Sequence, residues 1–177
     1  NVITLANINH SKDNREQIAT YLINHPKDIN LYLAILKAKT VNDYFKAAWA
    51  LEFVSRISCT TLLPYLDQLI SLAKEETADQ AIRPFAKIFE TFVLKHYKKE
   101  LTQPLTNSQL EAISEQCFDW LITEQKVAVK AYAMHILFLF GKETDWIHPE
   151  LKIILERDFN HQSAAFKARS RHILKKI

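Results

Sequence analysis

The sequence predicts an all-α protein built from stacked helical hairpins. Gly141 is the only glycine among 177 residues, whereas tight turns, bulges and phosphate-binding loops usually need glycine. Apolar residues recur at spacings of three and four along nearly the whole chain, which is the period of a helix. A short phrase, fullest in "YFKAAWALEFVSR" at residues 44–56, also recurs in weaker copies. The chain therefore repeats one helical packing unit.

Nine helices are predicted from this period. The first ends before Pro26, because the residue that precedes a proline is pushed out of the helical region. Asn42 or Asp43 is expected to cap the third helix. The nine lie at about 13–24, 28–39, 42–57, 61–75, 79–99, 108–124, 126–140, 147–158 and 163–176.

Three later helix ends carry their own signals. Thr61 is expected to cap the fourth helix, with Pro64 in its first turn, where a missing N–H costs nothing. Ser108 and Glu111 have the spacing of a capping box at the start of the sixth helix. Gly141 follows the seventh helix, in the position that a left-handed C-cap favours.

The recurring phrase places a small residue three positions before a large apolar one. The small residues, called anchors below, are Ala19, Ala50, Ala86, Ala133 and Ser170. Their separations are 31, 36, 47 and 37 residues, and an insertion near 95–107 explains the longest. A period of this length with two helices per unit is typical of an α-α superhelix, a HEAT- or armadillo-like solenoid. We expect four or five helical-hairpin repeats in a single domain over residues 1–177.

Composition excludes several classes of protein. The chain is 48% hydrophobic and 24% charged, a balance typical of a globular fold. The longest apolar run, at 136–140, is too short to span a membrane, so no membrane association is expected. Cys59 and Cys117 are too few for a disulfide framework, and they predict reduced thiols in a cytoplasmic protein.

Motifs of catalysis are missing from the sequence. It contains no glycine-rich phosphate loop, no His-Glu-x-x-His, no Cys-x-x-Cys and no Gly-x-Ser-x-Gly. We therefore predict no catalytic residues, no metal and no cofactor. His135 and His172 share a position in the phrase, but two imidazoles without a carboxylate make a poor metal site. Both are expected to be partly exposed helix residues.

The three tryptophans admit two interpretations. Trp49, Trp120 and Trp146 could stack on a nucleobase, as tryptophans do in HEAT-like DNA glycosylases. Their places in apolar helix patterns favour packing instead. Trp146 stands just before a predicted helix start, where a hydrophobic staple is expected.

The last helix carries the most distinctive surface. Residues 163–177 contain five cations and no acid. The helix is expected to dock through Phe166, Ser170, Ile173, Leu174 and Ile177. Two interpretations of its polar side are open. It is a binding surface for phosphates or for an acidic protein, or it is the solvated outer face of the terminal repeat. The candidate binding residues are Lys167, Arg169, Arg171, Lys175 and Lys176.

Several phrases together resemble a group of small bacterial HEAT-like proteins of unknown role. They include "LLPYLDQLI", "CFDWLITEQKVAVKAYAM", "DWIHPELKIILERDF" and "QSAAFKARSRHILKK", and the likeness is closest over 44–177. The resemblance implies an α-α superhelix and no catalytic residues. Members of the group are often labelled adenylosuccinate lyase.

True adenylosuccinate lyases carry a catalytic Gly-Ser-Ser-x-Met-Pro-x-Lys-x-Asn loop. Here the only methionine, Met134, lies between Ala133 and His135, and Gly141 is followed by Lys142. The loop is therefore absent, which argues against the lyase label. The sequence favours a non-enzymatic helical-repeat scaffold that binds a protein partner. Nucleic-acid binding through the C-terminal basic helix is the alternative, and the oligomeric state stays open.

Overall fold

The computed structural model describes residues 4–177, and all of the regular structure in this part of the chain is helical. It contains nine α-helices and four 3-10 turns, one before α1 and three in the connections between helices. The α-helices are α1 (Lys12–Asn24), α2 (Ile29–Ala38), α3 (Lys46–Leu62), α4 (Leu66–Lys74), α5 (Asp79–Tyr97), α6 (Asn107–Ile122), α7 (Val127–Phe140), α8 (Ile147–Asp158) and α9 (Ala164–Leu174). The all-α prediction is confirmed.

Two compact units divide the chain, Asn1–Phe92 and Val93–Ile177. In the first unit, α1 packs against α3, and α2 packs against both α3 and α4. In the second unit, α7 is central and packs against α6, α8 and α9. The single domain over residues 1–177 stays a prediction.

All five anchors are fully buried, as the recurring phrase predicted. Their exposed fraction is 0% at Ala19, Ala50, Ala86, Ala133 and Ser170. The first two anchors lie on α1 and α3, which pack together, and the last two lie on α7 and α9, which also pack together. Since an alanine or serine extends little beyond Cβ, neighbouring helices can approach closely at these positions.

The large residues that follow the anchors are also core residues. Three positions after each anchor the side chain is at most 3% exposed: Leu22, Phe53, Phe89, Ile136 and Ile173. The cations three positions before the last three anchors do not share one environment. Arg83 is exposed, Lys130 is buried and Lys167 is half-buried. The repeated phrase therefore preserves the apolar packing positions better than it preserves the charge.

Trp49 has a structural role that follows from a proline in α5. Pro84 lies inside this helix and has no N–H to donate to the carbonyl of Gln80, four residues earlier. The indole Nε1–H of Trp49 donates to that carbonyl at 3.1 Å. The Trp49 ring also lies 4.7 Å from His10 and 5.2 Å from Phe45, centroid to centroid. Trp49 therefore has a packing role, which is the interpretation that its place in the recurring phrase favoured.

The start of α3 differs from the prediction. The helix begins at Lys46, and its N-cap is Phe45, which makes no side-chain cap, so the predicted caps Asn42 and Asp43 are wrong. Residues 42–45 form tight turns instead. The carboxylate of Asp43 pairs with the ammonium of Lys46 at 3.0 Å.

The predicted cap of the fourth helix is also wrong. Thr61 lies within α3, and its Oγ1 is hydrogen-bonded to Oγ of Ser58 at 2.8 Å. Ser58 has φ −146° and ψ 83°, which breaks α3 close to the predicted end of the third helix at 57. Pro64 lies in a 3-10 turn at Leu63–Tyr65, ahead of α4. A shared serine–threonine hydrogen bond thus replaces the expected N-cap.

A capping box does open α6, but two residues earlier than predicted. The Thr106 side chain accepts from the Gln109 N–H at 3.1 Å, and the Gln109 side chain accepts from the Thr106 N–H at 3.0 Å. The preceding Leu105 is buried, and its N–H donates to Nδ1 of His96 at 3.0 Å, which fixes how the chain enters the helix. Glu111 is therefore not a capping residue and is exposed.

A buried carboxylate holds the loop before α5. One oxygen of Glu76 accepts from the Tyr44 hydroxyl at 2.9 Å, from the Lys39 ammonium at 3.2 Å, and from the N–H groups of Thr77 and Ala78. Burial alone would raise the Glu76 pKa, but these hydrogen bonds together lower it. Burial and the bond to Glu76 raise the pKa of Tyr44 to about 12.

We predict that the hydrogen bond of Trp49 is coupled to Pro84. Trp49→Phe removes the donor to the Gln80 carbonyl. In the Pro84→Ala background the new backbone N–H can replace that donor, so the same substitution should cost about 1 kcal/mol less in unfolding free energy. A double-mutant cycle measured by urea denaturation tests this. Equal losses in the two backgrounds would contradict it.

Candidate functional site

The five predicted cations lie on the outer side of α9. Phe166, Ser170 and Ile173 are buried on the inner side, as predicted, while Leu174 and Ile177 are half-buried. Lys167 is half-buried, and the other four cations, Arg169, Arg171, Lys175 and Lys176, are exposed. The predicted residues therefore lie together on α9 and on the two residues that follow it, and we call this surface the cationic face.

The charges of the cationic face lack acidic partners in the part of the chain that the structure describes. Within residues 4–177, none of the five cations of α9 forms an ion pair. Lys167, Arg171 and Lys175 also follow one another at spacings of four, where like charges on a helix repel. A cationic face of this kind becomes more stable when a negatively charged partner covers it.

Two aromatic rings support the cationic face. The Phe159 ring lies beneath Lys167 and Arg171, at 5.9 Å to Nζ and 5.3 Å to Cζ. The Phe138 ring lies beneath Lys176 and Lys142, at 5.6 Å and 4.9 Å to their Nζ atoms. Cation–π attraction of this kind holds long side chains over an apolar platform.

Lys142 is a member of the cationic face that the sequence analysis missed. Its signal was the spacing of four from Phe138, which places both side chains on one side of the end of α7. His172, which was weighed as a metal ligand, lies with its Nε2 3.0 Å from Nζ of Lys176. Among residues 4–177, no three His, Cys, Asp or Glu side chains are arranged to hold a metal ion.

Gly141 has a steric role rather than the predicted left-handed conformation. Its φ is −66° and its ψ is −12°, which any residue can adopt, so the left-handed cap is wrong. A Cβ at this position would overlap the His148 imidazole. That imidazole bonds through Nε2 to the Phe138 carbonyl at 2.8 Å and stacks on the Phe138 ring, with centroids 5.7 Å apart. Glycine therefore gives His148 access to the end of α7.

A groove of opposite charge lies in the same unit. It has a volume of about 430 Å³ and lies between α6 and the α7–α8 connection. We call it the acidic groove. Its lining includes three carboxylates and two aromatic rings: Glu111, Glu115, Glu143, Phe140 and Trp146. Within the described residues, none of the three carboxylates forms an ion pair.

Trp146 places a largely exposed aromatic ring in the acidic groove. Its side chain is 57% exposed, so the predicted hydrophobic staple is wrong. Its ring stacks on Phe118, with centroids 5.7 Å apart and planes at 22°. Trp120, by contrast, is 3% exposed and belongs to the core, as favoured. Since an indole face attracts cations, the groove combines two features that favour a positively charged ligand.

The charge of one groove carboxylate also acts on a half-buried tyrosine. Burial, followed by the charge of Glu143, raises the pKa of Tyr97 to about 12. The sequence analysis missed the groove altogether. The available signal was the pair Glu111 and Glu115, two like charges four residues apart that no intrachain partner relieves.

Lys130 is a buried charged side chain of this unit. It is 5% exposed, and its ammonium donates to the carbonyl of Leu121 at 3.1 Å. Burial lowers its pKa, against the opposing charge of Asp158. The bond satisfies one of the last carbonyls of α6, a helix end that favours a cation. Lys130 therefore acts as an enclosed C-terminal cap.

Comparison with known proteins adds no relative: no family model, no curated protein and no solved structure matches the chain. The resemblance to small HEAT-like proteins therefore stays a prediction. Of the helices described, none is long and apolar enough to cross a bilayer.

We predict that the cost of a methyl group at residue 141 depends on His148. Gly141→Ala should lower the unfolding free energy by about 1–3 kcal/mol, because the imidazole must move. In the His148→Ala background the clash disappears, and the same substitution should be neutral or stabilising, since alanine restricts the unfolded chain. Thermal denaturation of the four proteins measures this change of sign. A loss that persists in the second background would contradict it.

Proposed function

We propose that the protein is a non-enzymatic helical-repeat module that binds a protein partner through the second unit. The observation that carries this proposal is that two surfaces of opposite charge, the cationic face and the acidic groove, lie on one unit and form no ion pair with any residue from 4 to 177. A surface of mixed charge favours a protein over a uniformly negative polymer.

The proposal includes a HEAT-like repeat as the scaffold. Its support is the burial of all five anchors, together with the packing of α1 on α3, α2 on α4 and α7 on α9. Packing between helices two apart in sequence is what stacked hairpins produce. Repeats of this kind commonly serve as binding surfaces, since each hairpin contributes side chains to an extended face.

Nucleic-acid binding through α9 is the second candidate. The observation that favours it is the set of five cations, three of which lie over Phe159 or Phe138, because Lys and Arg side chains contact phosphates. The groove carboxylates at the other side of α7 count against a long polyanion. The lyase label is not part of the proposal, since the sequence lacks the loop on which that chemistry depends. We propose a cytoplasmic setting, which suits the buried thiols Cys59 and Cys117.

We predict that reversing two charges of the cationic face abolishes partner binding. The α9 variant carries Lys167→Glu and Arg171→Glu. Its control carries Lys98→Glu and Lys152→Glu, which make the same charge change at exposed positions outside α9. Each tagged protein is cross-linked in lysate at low salt, and captured proteins are quantified by mass spectrometry. A partner should be retained by the wild type and the control, and reduced about tenfold or more in the α9 variant.

Equal capture by all three proteins, or capture of nothing, would contradict the protein-binding proposal. Fluorescence anisotropy with duplex DNA and with RNA tests the second candidate on the same proteins. Binding that weakens with salt and is lost only in the α9 variant would favour nucleic acid instead.

A further inference from the structure

The cationic face and the acidic groove are each electrostatically incomplete. Glu111 and Glu115 lie four residues apart on α6, and Lys167 and Arg171 lie four residues apart on α9. Like charges at this spacing destabilise a helix by a few tenths of a kcal/mol per pair, and a complementary charge removes that cost. Each surface thus gains from contact with the kind of surface that the other provides.

The spacing of the charges also matches. Residues four apart on a helix have Cβ atoms about 5–6 Å apart, on α6 and on α9 alike. Two carboxylates of one helix can therefore pair with two cations of another helix laid alongside it. Trp146 lies beside the carboxylates, and its exposed indole can contact Lys175, the third cation at the same spacing of four.

The two surfaces lie on opposite sides of one helix end. Phe138 supports the cationic face, and Phe140 lines the acidic groove. Two residues on a helix differ by about 200° around its axis, so the surfaces point away from each other at the end of α7. A contact between them joins two different patches, which is a heterologous contact.

We propose that the acidic groove of one copy of this chain receives α9 of a second copy. Lys167 and Arg171 pair with Glu111 and Glu115, and Trp146 covers Lys175, the third cation at this spacing. This inference rests on the proposed function, since it uses the same cationic face, and it names the partner. Because a heterologous contact leaves one groove and one α9 unused at the ends, association continues beyond the dimer as concentration rises. Salt weakens it, because the pairing is electrostatic.

The experiment is sedimentation velocity of purified protein over a range of concentrations, at about 50 mM and about 500 mM salt. The groove variant carries Glu111→Lys and Glu115→Lys, and the α9 variant carries Lys167→Glu and Arg171→Glu. Glu150→Lys with Glu156→Lys is the control for the first, and Lys98→Glu with Lys152→Glu is the control for the second; all four control positions are exposed. Circular dichroism establishes that each variant is folded.

Wild type and both controls should show an average mass that rises with concentration at low salt and falls at high salt. Each variant alone should associate about tenfold more weakly or not at all. A mixture of the two variants keeps one intact groove and one intact α9, and its two reversed surfaces are again opposite in charge, so association should return on mixing. This mixed complex is the result that a merely misfolded variant cannot produce.

Three results would overturn the inference: a wild type that remains monomeric at low salt, association that both variants retain, or variants that fail to associate when mixed. Failure of the proposed function is separate. A monomeric wild type that still captures another protein through α9 would remove the second copy as partner and leave the binding module standing. Association of the mixed variants together with no other captured protein would leave self-association as the binding activity.

Discussion

The close approach of neighbouring helices at small residues is the constraint on which the rest of the structure depends. All five anchors are fully buried, and Ala19, Ala50, Ala133 and Ser170 lie on two pairs of helices that pack together, α1 with α3 and α7 with α9. A longer side chain at such a position would hold the two helices apart. Interiors pack as densely as organic crystals, so a position of this kind cannot absorb extra volume without moving its neighbours. Ser170 indicates that size matters most at these positions. Its hydroxyl is buried, and no hydrogen-bond partner for it is found among the described residues. Burying an unpaired hydroxyl costs free energy, and the fold tolerates this cost where only a small residue fits.

The packing of α7 also determines where the two charged surfaces lie. The helix is held in the middle of its unit by α6, α8 and α9. Its last turn therefore presents Phe138 on one side and Phe140 on the other, and His148 fixes that turn through the space that Gly141 leaves. The cationic face and the acidic groove both depend on how this one helix ends. A single buried packing arrangement thus positions two charged surfaces that have no sequence motif in common.

Much of the fold could be predicted from the sequence because helical periodicity is a local property. Seven of the nine predicted helices begin and end within two residues of the observed ones. The third was predicted to end beside the break at Ser58, and the fourth was predicted to begin five residues before its observed start at Leu66. The anchors were predictable because the same small-to-large spacing recurs. Caps were less predictable: Thr106 and Ser108 both begin a capping-box pattern, and only the buried Leu105 decides between them. The position of Pro84 could not predict that the Trp49 indole, 35 residues earlier, donates to the Gln80 carbonyl that the proline leaves unpaired.

Of the two candidate surfaces, the cationic face could be predicted from the sequence and the acidic groove could not. The five cations lie within ten residues of the sequence, at 167–176, so their helix and its polar side could be predicted. The groove joins Glu111 and Glu115 of α6 to Glu143 and Trp146 of a later connection, and no local pattern records that juxtaposition. Trp146 was expected to pack as a staple because aromatic residues before helices commonly do, but its stacking on Phe118 leaves it exposed.

The most direct test of the central claim is the unfolding free energy of Ala133→Leu, measured by urea denaturation beside Ala168→Leu. Ala133 is fully buried at the packing position of α7, whereas Ala168 is exposed on α9. Leucine at 133 should cost about 1–3 kcal/mol, because the neighbouring helix must move outward. Leucine at 168 should change stability by about 0.5 kcal/mol or less. Equal stability of the two variants would contradict the account, since neighbouring helices would then not need a small residue between them.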